Sequence, residues 1–399
     1  MLEAGRFLRF FRVSNFLPTI GVVASLICGF VVTGFASSAY RRERTKLGQE
    51  HYREAQRLES QAQVEASLEE FRKALFFSPD QTEYGISLAT ALIEAGKLDE
   101  AESHLEQLLQ EDPTNGRLNL LLARVAMKNR NVKQAVEYYH RAVYEYWPPS
   151  QLPERRQARW ELAALLNKTG DQSGYVAELM QLYANLPAAD EAQRLRVGFA
   201  LLNSGATAEA GKVFAALLQQ DGQNAAVRYG LGEVNLAGGN YITARHEFQR
   251  ALRLNPQDEA SASKLVLTNE IIDFDPFLPD LVLGERIRRS RNLLAAVVRI
   301  VKKCSGVPAE QSVKPDARSV KAQTKDKTQT SSGTAADAMQ QRLTDAENLL
   351  KKAGSSDDLA LQFRQTARAL WNDRQTICPG PAPPSDPAVD TIIGKMAYE

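Results

Sequence analysis

Along the middle of the chain, small and large apolar residues alternate with polar ones in a pattern that returns about every 34 residues. The last copy is the plainest, from Ala225 to Pro256, with Leu231-Gly232, a Gly238-Gly239 turn, then Ala244, Phe248, Ala251 and the closing Pro256. Apolar positions three and four apart on either side of the turn predict two helices. Five earlier copies lie in register. The first is degenerate in its leading helix, and Phe71, Ala74 and Pro79 mark its second. The next opens at Thr82 with Leu88-Ala89, Gly96, Ala101, Leu105 and Pro113. A third opens near Gly116 with Leu122-Ala123, Ala135, Tyr139, Ala142 and Pro148. The fourth is the weakest, with Leu162-Ala163, Gly170, Tyr175 where a small residue is usual, Leu179 and Pro187. In the fifth, Val197-Gly198, Gly205, Ala210 and Phe214 are followed by Gly222 in place of proline.

Each mark has a physical role. Ala89, Ala123, Ala163, Gly198 and Gly232 let one helix of a pair lie close against the other. Glycine permits the tight turn between helices. The aromatic or leucine after the second small residue fills the space between pairs, and proline ends the second helix because it cannot continue the hydrogen-bond ladder. The predicted array spans 48–273, closed by a capping helix from Glu259 to Asp273. Between its third and fourth pairs, Tyr144 to Pro153 adds a Trp and three Pro. That insertion reads either as a partner contact or as packing over the seam, and packing is favoured.

Ahead of the array, Phe16 to Ala36 carries no charge. About 20 apolar residues suffice to cross a hydrocarbon core as a helix. This predicts a transmembrane anchor over 16–36, after a short basic segment (1–15) and before a charged helical stem (37–60). Basic residues flank both sides (Arg6, Arg9, Arg12; Arg41, Arg42, Arg44, Lys46), so charge alone sets the orientation weakly. The short basic amino terminus favours amino end inside and bulk of the chain outside. A cleaved signal peptide ending at Ser37-Ser38-Ala39 is the competing reading, although the apolar run is long for one. A lipoprotein through Cys28 is poorer, because bulky Ile27 precedes it. Gly21, Ser25, Gly29 and Thr33 fall four apart, which reads as a face for homo-oligomer contact or as ordinary membrane-helix composition.

Behind the array, 277–304 reads as a basic amphipathic helix with Ile287, Leu294, Val298 and Val301 on one face. It could attach to an anionic membrane or acidic partner, or pack on the end of the array with its charges solvated; packing is favoured. Residues 305–336 lack apolar side chains to bury and predict a flexible linker. A helical hairpin follows over 337–378, carrying Leu343, Leu349, Leu359, Phe363, Leu370 and Trp371. It is expected to fold on the basic helix as a small three-helix unit, trailed by a Pro-rich tail over 379–399. Cys304 and Cys378 each end a helix. Outside the cytoplasm they would form a disulfide; the alternative is two unrelated buried thiols.

Net charge is +1, which argues against a nucleic-acid partner. The three cysteines and four histidines have no ligand spacing, so neither a metal nor a cofactor is expected. No Ser/His/Asp or Cys/His constellation, phosphate loop or HExxH motif is present, which argues against an enzyme.

The six copies resemble the tetratricopeptide repeat family. The resemblance implies an all-α superhelical solenoid. With the apolar segment added, the layout resembles single-pass bacterial envelope proteins whose repeats face the periplasm. It implies a non-enzymatic adaptor on the inner membrane, working in assembly, secretion or export. In this family a protein or peptide lies along the concave face lined by each pair's first helix. That face corresponds to Ile86, Thr90, Arg117, Arg124, Lys128, Trp160, Asn167, Lys168, Phe199, Asn203, Tyr229 and Glu233. Arg124, Lys128, Asn167, Lys168 and Asn203 make its middle basic and amide-rich, the chemistry of a carboxylate clamp; a generic peptide groove is favoured over it. The alternatives are a self-assembling membrane protein and a docking subunit of an enzyme complex.

Overall fold

The computed structural model describes residues 16–305, 333–378 and 385–398. The basic segment 1–15, most of the linker and residues 379–384 lie outside the described residues. Contacts divide the chain into two compact units, Met1–Ala184 and Asn185–Glu399.

Unit 1 contains α1 (Phe16–Ser60), α2 (Val64–Phe77), α3 (Thr82–Glu94), α4 (Leu98–Glu111), α5 (Gly116–Lys128), α6 (Val132–Tyr144), α7 (Leu152–Thr169) and all but the last residue of α8 (Gln172–Asn185). Unit 2 contains α9 (Glu191–Asn203), α10 (Thr207–Gln220), α11 (Ala225–Ala237), α12 (Tyr241–Leu254), α13 (Glu259–Phe274), α14 (Leu283–Ser305), α15 (Gly333–Leu350), α16 (Asp357–Ile377) and α17 (Pro387–Lys395). The turn glycines Gly96, Gly170, Gly205 and Gly239 have φ between +76° and +83°, a conformation that costs glycine nothing. Asn115, Asn131, Asp190 and Asn224 cap the helices that follow them.

One uninterrupted helix, α1, carries both the apolar stretch and the leading helix of the first pair. Its apolar side chains from Val22 to Phe35 are exposed, whereas Gly48, Ala55 and Leu58 are buried. Residues 37–47 thus continue the apolar stretch as a mostly exposed helical stem, and from Gly48 the same helix becomes the leading helix of the first pair. A Cβ on Gly48 would sit 2.3 Å from the Ser78 hydroxyl, so only glycine lets the chain pass so closely. The inserted Trp147 is buried and donates to the Ala142 carbonyl at 2.6 Å. Its indole occupies the space a Cβ on Gly116 would need, at 2.1 Å, which ties the insertion to the start of α5. The fourth pair is weak in motif because a buried ion pair partly replaces apolar packing: Arg159 meets Glu178 at 2.7 Å, both 5% exposed, and Tyr144 donates to Glu178 at 3.1 Å.

In unit 2 one core joins the last pair to the carboxy-terminal helices. Tyr241 of α12 and Ile271 and Ile272 of α13 pack with Leu293, Leu294 and Val297 of α14, Phe363 and Trp371 of α16, and Val389 and Ile392 of α17. The separate three-helix unit is thus corrected to a larger assembly fused to the end of the array. The Pro-rich tail over 379–399 is corrected too, since residues 387–395 are helical. Pro387 opens α17 where its missing N–H is harmless, Asp386 caps it, and Ala388, Val389, Ile392 and Ile393 are buried at helical spacing. Lys395 meets the fully buried Asp275 carboxylate at 2.6 Å and lies over the Tyr241 ring at 4.4 Å. Trp371 donates to Asp390 at 2.8 Å.

The apolar face of α14 enters this core, and much of its basic face has internal partners. Arg286 pairs with Asp357 at 3.1 Å, Arg289 donates to the Ile272 carbonyl, Arg291 to the Lys352 carbonyl, and Lys302 pairs with Glu347. Hydrogen bonds from Arg288 and Arg289 hold the Glu285 pKa at about 2. Cys304, near the end of α14, is bonded to Cys378 after α16, with Cα atoms 5.2 Å apart.

Candidate functional site

In unit 1 the first helices α3, α5 and α7 are joined by charged groups. Arg117 meets Glu83 at 2.7 Å and Glu154 at 3.1 Å. Arg124 forks onto both oxygens of Glu161 at 2.7 and 3.0 Å, and Tyr139 donates to the same carboxylate at 2.9 Å. Burial disfavours the Glu161 charge, but hydrogen bonds from Arg124, Tyr139 and Gln157 and the guanidinium charge outweigh it and lower its pKa. Burial and then the Glu161 charge raise the Tyr139 pKa. Arg117 is held by two carboxylates and Arg124 has its Nε–Nη2 edge filled by one, so both are weaker donors to an incoming carboxylate than free guanidinium groups would be. Arg117 and Arg124 therefore tie neighbouring pairs together.

Lys128, Asn167 and Lys168, at the ends of α5 and α7, are exposed, and Trp160 is half-buried. Ile86 is only 3% exposed, which removes it from the accessible face: it faces the next helices inside the core of the second pair. The Thr90 hydroxyl is taken up by the Ile86 carbonyl at 2.8 Å.

Unit 2 presents a different face. Phe199 of α9 and Tyr229 of α11 are half-buried with ring centroids 6.0 Å apart, backed by Phe214 at 5.0 Å from Phe199 and Phe248 at 5.8 Å from Tyr229. A Cβ on Gly232 would come 2.4 Å from Phe248, and one on Gly230 2.5 Å from Phe214, so glycine is what admits these rings. Asn203 is exposed at the end of α9. Glu233 is held by Lys264 of α13 at 2.8 Å, leaving its other oxygen buried without a partner. Burial, then the charges of Glu233 and Asp258, raise the Tyr229 pKa.

Sequence reading missed Glu83, Glu154, Glu161 and Lys264. Each lies 31 to 37 residues from the side chain it meets, so scanning for opposite charges one period apart would have found them. Among the described residues no three His, Cys, Asp or Glu side chains gather as a metal site. A depression of about 390 Å³ in unit 2, lined by Arg342, Asp345, Gln365 and Leu370, belongs to α15 and α16 and not to the first helices.

Two family models, both of the tetratricopeptide repeat, match the chain: one over residues 34–116 and 120–190, the other over 92–146 and 201–266. The chain belongs to the tetratricopeptide repeat family. Solved structures similar to it include YrrB, a TPR protein with an unusual peptide-binding site, at 20% identity over 48% of this chain and 96% of that one, with a TM-score of 0.36. Pseudomonas aeruginosa pilF is 15% identical over 55% and 97%, with a TM-score of 0.37. The C-terminal part of a TPR repeat-containing protein from Cytophaga hutchinsonii is 15% identical over 61% and 94%, with a TM-score of 0.41. Likenesses this distant carry no argument about function. No curated protein matches the chain. The tetratricopeptide array thus offers two accessible first-helix faces, one of lysine and amide in unit 1 and one of aromatic rings in unit 2.

Proposed function

We propose that the protein is a membrane-anchored scaffold that holds a protein or peptide partner on the first-helix faces of its repeats. The observation that carries this reading is the accessibility of Lys128, Asn167 and Lys168 in unit 1 and the partial accessibility of Phe199 and Tyr229, beside exposed Asn203, in unit 2. Helical arrays of this kind present extended surfaces to other chains. With Arg117 and Arg124 engaged by carboxylates, the unit 1 face suits an extended acidic or polar segment better than a clamped chain terminus.

The α1 apolar stretch, exposed from Val22 to Phe35, supports a single membrane span. A disulfide between Cys304 and Cys378 suits an oxidising compartment, which supports an inner-membrane anchor with the repeats outside the cytoplasm. The test is in-cell photocrosslinking from Asn167, Asn203 and, as a control on the second helix α6, Glu137. A partner captured at Asn167 and Asn203 but not at Glu137, and lost from Asn167 in Lys128→Glu/Lys168→Glu, is expected. Self-crosslinks alone would instead indicate the self-assembling membrane protein.

A further inference from the structure

Because α1 is unbroken, the apolar stretch leads directly into the first helix pair. α2 runs back along α1: Arg44 donates to the Phe76 carbonyl at 2.6 Å, and His51 stacks on Phe77 at 5.4 Å. The turn after α2 therefore sits at the end of the pair nearest the apolar stretch. The later turns between pairs lie along the same edge. Tyr52 of α1 stacks on Tyr84 at the start of α3 at 4.3 Å, and Glu83, Arg117 and Glu154 link the starts of α3, α5 and α7. Backbone bonds of 3.2 Å from Gly116 to Tyr146 and from Tyr146 to Thr114 join the last two turns.

Outside the apolar stretch, the aromatic side chains more than half exposed among the described residues are Tyr40, Phe76, Tyr144 and Tyr146. All four belong to this edge of unit 1. The opposite edge, where second helices begin, shows exposed Val64 and Val132 and no such aromatic. The exposed rings are also braced. Arg44 lies 5.9 Å from the Phe76 ring, Arg159 lies 5.3 Å from Tyr144, and buried Trp147 fixes the backbone beside Tyr146.

We propose that this edge is a membrane-contact surface, with Tyr40, Phe76, Tyr144 and Tyr146 at the headgroup level of the bilayer that α1 spans. The proposal rests on the anchor reading above. Tyrosine rings with a polar end, as at Tyr40 and Tyr146, favour the membrane–water boundary, where both halves of the side chain are satisfied. Phe76 adds ring surface beside them, as does Tyr144, whose hydroxyl is given to Glu178. Arg44 lies about 12 Å beyond Ala36 at 1.5 Å per residue, and the headgroup zone fills roughly 5–8 Å of that. The start of α3, level with Tyr52, stands about 24 Å beyond Ala36, so a tilt at the upper end of the range for membrane helices, about 40°, is what brings this side of the edge down to the headgroups. Asp80, Asp112 and Glu145 also lie at these turns, so the rings and not charge attraction make the contact.

The test uses the full chain in Cys28→Ser background, reconstituted in phosphatidylethanolamine–phosphatidylglycerol vesicles without reductant. Nitroxide labels are placed singly at Phe30→Cys, Phe76→Cys, Tyr146→Cys and Val132→Cys. Collision with oxygen relative to a water-soluble nickel chelate should be highest at Phe30→Cys, and several-fold higher at Phe76→Cys and Tyr146→Cys than at Val132→Cys. Labels at 76 and 146 as water-exposed as the one at 132, with 30 still in the bilayer, overturn the contact surface and leave the anchor standing. A water-exposed label at 30 overturns the anchor and the surface together.

Discussion

The two ends of the repeat series meet the same difficulty, since a terminal helix pair has one face with no neighbouring repeat to cover it. They resolve it differently. At the amino end the first pair takes its leading helix from α1, whose apolar stretch stays exposed, with Phe30 at 81% and Phe35 at 78%. At the carboxy end α13 covers the last pair, and α14, α16 and α17 bury themselves into the same core. The first extension is therefore separable from the folding of its unit, while the second is part of it.

Two truncations test that difference most sharply. Removing residues 379–399 takes Ala388, Val389, Ile392, Ile393 and Met396 out of the unit 2 core and strips Asp275 of its Lys395 partner. The expected loss is on the order of 5 kcal/mol, from burial of side chains each contributing about 1.5–3 kcal/mol. Removing residues 2–40 leaves Tyr52, Ala55 and Leu58 in place and should move unit 1 by less than about 0.5 kcal/mol. Urea titrations followed by circular dichroism measure both. Equal losses would break the comparison.

The disulfide gives the next largest effect. Cys304 and Cys378 are 74 residues apart, so their bond restricts a long loop in the unfolded chain. Cys378→Ser should cost unit 2 about 2–4 kcal/mol. A reductant should reproduce that loss in the wild type and add nothing in Cys304→Ser/Cys378→Ser. Unit 1 should not respond.

How far these features were legible in the sequence follows from the range of the signals. Repeat marks such as Ala244 and Phe248 are local and periodic, so pairs and turns could be read directly. The leading helix of the first pair was hard to read because Gly48, Ala55 and Leu58 sit among charged residues. α17 was hidden by the prolines before it, although Val389, Ile392 and Ile393 have helical spacing. On the candidate face, Arg117 and Arg124 looked like free donors because their carboxylates lie one repeat away. Ile86 looked accessible because helical phase alone does not show how deeply the next pair covers it.

The acid limb of stability should distinguish the units more weakly. The Glu161 pKa is lowered in the folded protein, so unfolded chains bind more protons as pH falls. Its contribution is present above the ordinary carboxylate pKa and is lost as pH drops through the lowered value. Partial exposure of the pair limits this to roughly 1 kcal/mol. Glu161→Gln should flatten that part of the unit 1 pH profile in chemical denaturation. An unchanged slope would mean that Arg124 and Glu161 do not link α5 to α7 in solution.

The smallest effect concerns the turns inside the pairs. Four use glycine at positive φ, but the third pair places Arg130 at φ 59° and the first places Ala62 at φ 58°. Both exceptions lie in unit 1, and both are exposed. A side chain in the left-handed region crowds its own carbonyl, whereas glycine is free of that strain but gives the unfolded chain more freedom. Strain outweighs freedom at such positions, so Arg130→Gly should stabilise unit 1 by about 0.5–1 kcal/mol. Gly96→Ala, the reverse change in the neighbouring pair, should destabilise it by a similar amount. A shift in the urea midpoint with unchanged slope would assign the effect to the native turn. Stabilisation by Arg130→Gly without a matching cost in Gly96→Ala would mean that Arg130 is unfavourable for its charge and not for its backbone.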